Sequence, residues 1–330
     1  MVSANMVIED VTRKTLSFES MAALYDETRT VDQGCLDAAL DFLVARFPLA
    51  QFGSVFEPGI GTGRIAAPLA ERGYRVTGVD IAREMLSLLR ERSGAMACQQ
   101  ADATRLPYAD ATFDWAIAVH LFYFVPQWRQ AVDEIVRVIG PGGPLVLMHT
   151  GMGAEVPFLN ERYKVLCAEQ GYRIEARGVK STEEVVDYLK GLGYHIGVIR
   201  GCWRWVARQR LETALGYLES RAYSFTTVAS DDVHRVAIER LRRELEREFG
   251  SLTAEVEVPN EVYLVLTTCQ DRRWGAFVVG GNTASSQRRS PSTSRLTAST
   301  PNAPLQLSAV RSTAGVHKLR SWSRCPAIVR

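Results

Sequence analysis

The sequence predicts an α/β protein with a doubly wound, mostly parallel sheet of seven strands, a helical insertion late in the sheet and a disordered C-terminal tail. Three observations carry this. Short apolar runs alternate with helix-periodic ones from Ser54 to Met148, the pattern of strands joined by crossover helices. A glycine turn, Glu57-Pro-Gly-Ile-Gly-Thr-Gly63, sits at the first strand-to-helix junction. From about Gly280 the composition falls to Ser, Thr, Pro, Arg and Ala, too little apolar surface to offset the entropy of ordering.

The elements follow in order. Leu36, Ala39, Leu40, Leu43 and Val44 recur at helical spacing and predict a helix over Asp32–Phe47, closed by Pro48. Ser54–Glu57 reads as a strand, Gly63–Arg72 as a helix stopped by Gly73, Arg75–Val79 as a strand and Glu84–Arg92 as a helix ended by Gly94. Ala95–Gln99 is a further strand, and Trp115–Val119 is apolar throughout, as a central parallel strand buried on both faces requires. Trp128–Val138 is a helix, Gly140–Gly143 a tight turn and Leu145–Met148 the next strand. Beyond Thr150, helices are expected at Asn160–Gln170, Thr182–Leu192, Gln209–Leu218 and Asp231–Phe249. A long strand is expected at Ile196–Ala207, and a strand pair or one strand interrupted near Pro259 at Glu255–Thr268. Residues 1–270 thus form one domain with a helical cap at about 151–255, and 271–330 form a basic low-complexity tail.

Charge is split along the chain. Residues 271–330 hold ten Lys/Arg against one acid (+9), so residues 1–270 hold 29 basic and 36 acidic side chains (−7), for the overall +2. An acidic body gives no reason to expect a nucleic-acid groove. The six cysteines are scattered with no CxxC or zinc-ligand spacing, so no metal is expected and the thiols read as reduced. No segment has the roughly 20 apolar residues of a membrane helix, and the N-terminus lacks a signal-type apolar core; a cytoplasmic protein with no membrane partner is the expectation.

The chemistry lies at the strand ends. Gly59, Gly61 and Gly63 permit positive φ angles and close approach of a ligand to backbone. Glu57, just ahead of them, would repel a pyrophosphate and welcome a cation. Asp80, after the next strand, can accept both hydroxyls of a ribose. Asp102, after the third strand, can accept from an exocyclic amine, with the Ala103 N–H beside it. Together these suit an adenosine carrying an amino-acid cation. Asp114 reads as a structural acceptor, and Tyr123, Trp128, Trp203, Trp205, Tyr223 and Phe225 as core residues, several of them near the mouth of the site. His149 is a weaker candidate than His120.

Four motifs in order resemble those of class I S-adenosylmethionine-dependent methyltransferases of the ubiquinone/menaquinone C-methylase type. They are VFEPGIGTG, VTGVDIAREML, ADATRLPYADATFDWAIAVH and IVRVIGPGGPLVL. The resemblance covers residues 20–150 well and the rest, to Thr268, in outline. It implies a Rossmann-like methyltransferase fold, S-adenosyl-L-methionine as cofactor and transfer of its methyl group to a small-molecule acceptor. By the same resemblance Glu57, Gly59, Gly61, Gly63, Asp80, Ile81, Met85, Asp102, Ala103 and Val119 bind the cofactor. Tyr25 and Arg29 fold over it, Arg29 against its carboxylate. His120, at the end of the fourth strand, is the expected catalytic base or acceptor-orienting group. The alternatives are methylation of RNA or protein, and a non-catalytic binding protein on the same fold. A nicotinamide dehydrogenase is disfavoured by Glu57 and by G-x-G-x-G in place of G-x-G-x-x-G. The acceptor, the atom methylated and the oligomeric state are not written in any motif.

Overall fold

The computed structural model describes residues 24–93, 96–151 and 153–269, with a two-residue strand at Val316–His317. That short strand pairs in parallel with Glu255–Val256. The expectation of disorder over 271–330 otherwise lies outside the described residues.

A one-turn helix (α1, Tyr25–Thr28) leads into α2 (Gln33–Arg46), whose N-cap Asp32 accepts from the Cys35 N–H at 2.9 Å. Such a cap contributes about 1 kcal/mol. Pro48 ends α2 as expected but also opens a further one-turn helix, α3 (Leu49–Phe52). The parallel half follows: β1 (Ser54–Pro58), α4 (Ala66–Glu71), β2 (Arg75–Asp80), α5 (Arg83–Ser93), β3 (Ala97–Gln100), β4 (Trp115–Val119), α6 (Trp128–Ile139) and β5 (Leu145–Thr150). The helix expected from Gly63 starts three residues later. Gly63 itself has φ of +82°, which no right-handed helix accepts.

The sheet order is β3-β2-β1-β4-β5-β7-β6. Here β6 is Tyr194–Arg210 and β7 is Glu255–Cys269; β7 is antiparallel to both neighbours, and all pairings among β1–β5 are parallel. Successive side chains of a strand point to opposite faces, and the two cores divide accordingly. Phe56, Ala116, Ala118, Leu145, Leu147 and Val265 join Ile135 and Val138 of α6 and Leu189 on one face. Val55, Trp115, Ile117, Val146, Met148, Leu264 and Leu266 join Leu36, Leu40 and Leu43 of α2 and Leu86 and Leu89 of α5 on the other.

The insertion supplies α7 (Pro157–Ala168), α8 (Thr182–Gly191), α9 (Leu211–Glu219) and α10 (Asp231–Phe249). α7, α9 and α10 enclose a third core, in which Tyr163, Leu166, Leu215, Leu218 and Leu241 pack with Val256 and Val258 from the start of β7. The long strand runs past the expected Ala207 to Arg210, so Gln209 is strand rather than helix. β7 is continuous through Pro259, whose lack of an N–H is harmless at an exposed position opposite Val206. Both strands are therefore long enough to join the sheet to the cap.

Candidate active site

At the carboxyl end of β1 the chain turns through Gly59, Gly61 and Gly63, with φ of +71°, +56° and +82°. The Gly59 and Ile60 N–H groups donate to the Val79 carbonyl oxygen at 2.8 and 2.9 Å, tying the turn to β2. Asp80 completes the tie: one carboxylate oxygen accepts from the Gly61 N–H and the other from the Ala82 N–H, both at 2.9 Å. Burial pushes its carboxyl above the usual carboxylate range, opposed by those backbone donors. A carboxylate has about four acceptor sites, and with the Ile81 N–H as a further backbone donor Asp80 retains one for a ligand.

Two adjoining cavities lie here. A slot of about 70 Å³ is lined by Gly59, Gly61, Asp80, Ile81, Met85 and Ala103, among others. A larger cavity of about 620 Å³ opens on the other side, and Tyr25, Gly59, Val119, His120 and Phe124 wall both. The two are one trough divided by shared side chains. Asp102 does not line it; one of its oxygens accepts from the Thr104 N–H at 2.9 Å and hydroxyl at 2.8 Å, closing a local turn. Gly63 does not line it either. A Cβ there would meet the Leu89 Cδ1 at 2.3 Å, so this glycine serves helix packing.

Glu57 is 2% exposed and its Oε2 is a buried oxygen with no hydrogen-bond partner among the described residues. Burial drives its carboxyl well above the ordinary range; nearby Arg64 works against this and Asp80 adds to it. An unpartnered buried acceptor costs roughly 1–3 kcal/mol. A cationic donor in the cavity is the group that would satisfy it, as the ammonium of S-adenosylmethionine does chemically. Arg64, immediately after the glycines, lines the same cavity and donates no hydrogen bond to the described residues; burial depresses its pKa. Arg29 is buried across the cavity, with its guanidinium 4.6 Å from the Tyr25 ring centroid and donating to the Ala222 carbonyl at 3.2 Å and to the Thr28 hydroxyl. Asp26, accepting from the Thr62 hydroxyl at 2.8 Å and pairing with Arg92, holds this N-terminal segment onto the glycine turn.

His120 has φ of +52°, a left-handed conformation that a non-glycine residue adopts at a cost. Its Nε2 lies 3.0 Å from the Thr150 carbonyl oxygen and 3.1 Å from the Thr150 amide nitrogen, leaving Nδ1 as the unengaged ring nitrogen. Burial, partly offset by the Thr150 contact and aided by Arg64 and Arg29, lowers its pKa to about 4. The ring is neutral at pH 7. Beyond it, Thr182 Oγ1 sits 3.0 Å from the Tyr123 hydroxyl, 3.3 Å from that of Tyr263 and 3.1 Å from His149 Nε2, filling its one donor and two acceptor sites. His149 stacks on Tyr263 with centroids 4.3 Å apart, and burial takes its pKa down to about 3.

Of the residues expected at the site, Glu57, Gly59, Gly61, Asp80, Ile81, Met85, Ala103, Val119, His120, Tyr25 and Arg29 line one trough. Tyr123, Tyr223 and Phe225, read mainly as core, line the larger cavity, whereas Trp203 and Trp205 pack against the core beside α2. Asp114 accepts from the Ser54 N–H at 2.7 Å, a structural role. Arg64, Thr182 and Tyr263 were not anticipated. For Arg64 a signal existed in its place directly after the glycine turn; Thr182 and Tyr263 meet only through the tertiary fold.

Fold and site together define a Rossmann-like methyltransferase. A family model described as a methyltransferase domain matches residues 56–147. The chain is 31% identical over 187 residues to the demethylmenaquinone methyltransferase of Beutenbergia cavernae, covering 52% of this chain and 72% of that one. It is 31% identical over 150 residues to the malonyl-[acyl-carrier protein] O-methyltransferase of Salmonella typhimurium, covering 46% and 58%. Over several such curated relatives it spans about half their length. A solved structure of a methyltransferase from an antibiotic biosynthesis pathway of Anabaena variabilis shares the fold, with a TM-score of 0.51 at 18% identity over 73% of this chain and 99% of that one. The chain belongs to the S-adenosylmethionine-dependent methyltransferase family, and S-adenosyl-L-methionine is its cofactor.

Proposed function

We propose that this protein transfers the methyl group of S-adenosylmethionine to a small-molecule acceptor held in the larger cavity. The observation that carries the reading is the buried, unpartnered Oε2 of Glu57 in a trough that continues to Asp80. In this reading Glu57 receives the cofactor ammonium, Arg29 and Arg64 its carboxylate, and Asp80 the ribose hydroxyls. Ile81, Met85 and Ala103 flank the adenine.

The bound cofactor supplies an electrophilic methyl on a sulfonium. The protein's part is to align the acceptor and exclude water. His120, neutral and steadied on Thr150, orients the acceptor through Nδ1 and takes its proton where one must leave. The domain occupies residues 1–270, with 151–255 as the cap; a cytoplasmic location is part of the same reading. Among the described residues no helix is long and apolar enough to cross a membrane.

Calorimetric titration of the full chain with S-adenosylmethionine, S-adenosylhomocysteine and NAD tests the cofactor assignment. Both sulfur compounds should bind and NAD should not; binding of NAD alone overturns the proposal. A screen of acceptors with labelled methyl donor then tests turnover.

A further inference from the structure

The walls of the larger cavity are electrically unbalanced. Among the described residues, six cationic side chains line it (Arg29, Arg64, Lys164, Arg177, Lys180 and Arg200) against four carboxylates, Glu57, Glu155, Glu175 and Glu261. Burial pushes two of those four, Glu57 and Glu155, toward the neutral acid. The cofactor deepens the imbalance, because its amino and carboxylate groups cancel while the sulfonium adds a positive charge. A low-dielectric cavity amplifies such an excess.

Two of the cations lie at the end beyond His149: Arg200 sits over the Tyr263 ring that stacks on His149, and Lys180 stands two residues before Thr182, whose hydroxyl contacts His149. Arg200 gets there through a β-bulge. The β6–β7 register shifts between Ile199 and Trp203, so Tyr263 faces the bulge and the Arg200 guanidinium lies 4.2 Å from its ring centroid. A bulge re-aims a side chain in this way. Glu261 holds the same guanidinium at 2.7 Å, fixing its position while answering its charge. Lys180 precedes the N-cap of α8, where Ser181 and Glu184 form a capping box, and its ammonium has no ion pair among the described residues. The first turn of α8 already carries Glu183 and Glu184, and Glu184 accepts from the Lys180 backbone N–H at 2.7 Å, so the helix end is answered and the Lys180 ammonium is the charge left for an anion. Arg177 lines the same cavity, and burial lowers its pKa. Glu175 lines the cavity and is exposed, and Glu183, at the start of α8, is near enough to Arg200 to act on its charge. Between this cluster and His120 the wall is aromatic and uncharged, formed by Tyr123, His149 and Tyr263.

We infer that the methyl acceptor is a planar small molecule bearing an anionic group, carboxylate or phosphate, received by Lys180 and Arg200 while its body lies along Tyr123 and Tyr263. The inference rests on the methyltransferase reading and adds the acceptor's chemical class to it.

The test is calorimetry on the full chain saturated with S-adenosylhomocysteine, using benzoate, phenyl phosphate and the neutral isostere benzamide as probes. At least one anion should bind tenfold or more tightly than benzamide, and whichever binds better identifies the group. That affinity should fall with rising salt, as an ion-paired contact requires. Lys180→Gln and Arg200→Gln should each weaken anion binding about five- to tenfold with S-adenosylhomocysteine affinity unchanged; a Lys180→Arg variant should restore it. Benzamide binding equal to the anions, no binding of either anion, or loss of S-adenosylhomocysteine affinity in the two Gln variants overturns the inference. Failure of the wild-type chain to bind S-adenosylhomocysteine is a separate result that overturns the methyltransferase reading itself.

Discussion

A carboxylate with a buried, unsatisfied oxygen is a cost borne for binding, and Glu57 is where that cost is concentrated. Glu57→Gln should therefore move two quantities in opposite directions. Affinity for S-adenosylmethionine should drop roughly 30- to 100-fold, the equivalent of about 2–3 kcal/mol for a hydrogen bond to a charged group, while the ligand-free melting temperature should rise; titration and scanning calorimetry read the two. His120 makes the second residue-scale prediction. A base with its pKa held down to about 4 loses activity only as pH falls through that value, so the acid limb of turnover should lie near pH 4 and not near 6.5. His120→Gln should abolish that limb, and full turnover in the variant at saturating acceptor would remove the assignment. Legibility differed residue by residue. Glu57 and Asp80 were readable because each ends a strand beside glycines in sequence. Asp102 also follows a strand, two residues beyond β3 and with no glycine beside it, and its carboxylate is taken up by Thr104, a choice made by one rotamer that no spacing encodes. His149, Thr182 and Tyr263 belong to two strands and a helix far apart in the chain, so their cluster left no local pattern.

Among the elements, the glycine turn carries two separable functions. Gly61 has φ of +56° and a Cβ there would make only an ordinary contact, 4.0 Å from the Gly59 carbonyl oxygen, whereas at Gly63 (φ +82°) a Cβ would lie 2.3 Å from Leu89. Gly61→Ala should cost about 1–2 kcal/mol of stability from backbone strain alone. Gly63→Ala should cost roughly 2–5 kcal/mol, because overpacking of a further 1–3 kcal/mol is added. Denaturant melts of the two variants check the order. The parallel elements were readable because a strand buried on both faces and a helix buried on one have different periods. The element ends were less so. β6 continues to Arg210 because its alternation of exposed Arg204, Arg208 and Arg210 with half-buried Trp205, Ala207 and Gln209 runs on, overlapping the first residues of a helical pattern. Ion pairs from Arg208 to Glu257 at 3.5 Å and from Arg210 to Glu255 at 3.7 Å align with the cross-strand register there.

For the molecule as a whole, two neutral histidines in the site link folding to pH. Both His120 and His149 have folded pKa values, about 4 and about 3, below the 6.5 of a free imidazole. Between pH 6.5 and those values the unfolded chain binds the extra protons, so their contribution to stability is present above pH 6.5 and lost as pH falls. The wild-type melting temperature should accordingly lose more between pH 7 and 4.5 than that of His149→Phe, which keeps a ring against Tyr263 and cannot titrate. The charge split gives a second test at this scale. The described residues lining the trough all lie between Tyr25 and Tyr263, so a chain ending at residue 274 should bind S-adenosylmethionine as the full chain does.

The placement of β7 sets the order in which this protein can be made. It lies between β5 and β6 in the sheet although it follows both in the chain. During synthesis the β5 edge, Leu145–Thr150, buried in the finished protein, stays without its partner until residue 269 has left the ribosome. At roughly 5–20 residues per second the intervening 119 residues (269 − 150) take about 6–24 s. For that interval the nascent chain carries an apolar, unpaired strand edge, the feature most prone to wrong pairing with a neighbouring chain. Chaperone occupancy on ribosome-bound chains arrested before residue 255 should exceed that on chains released past 269.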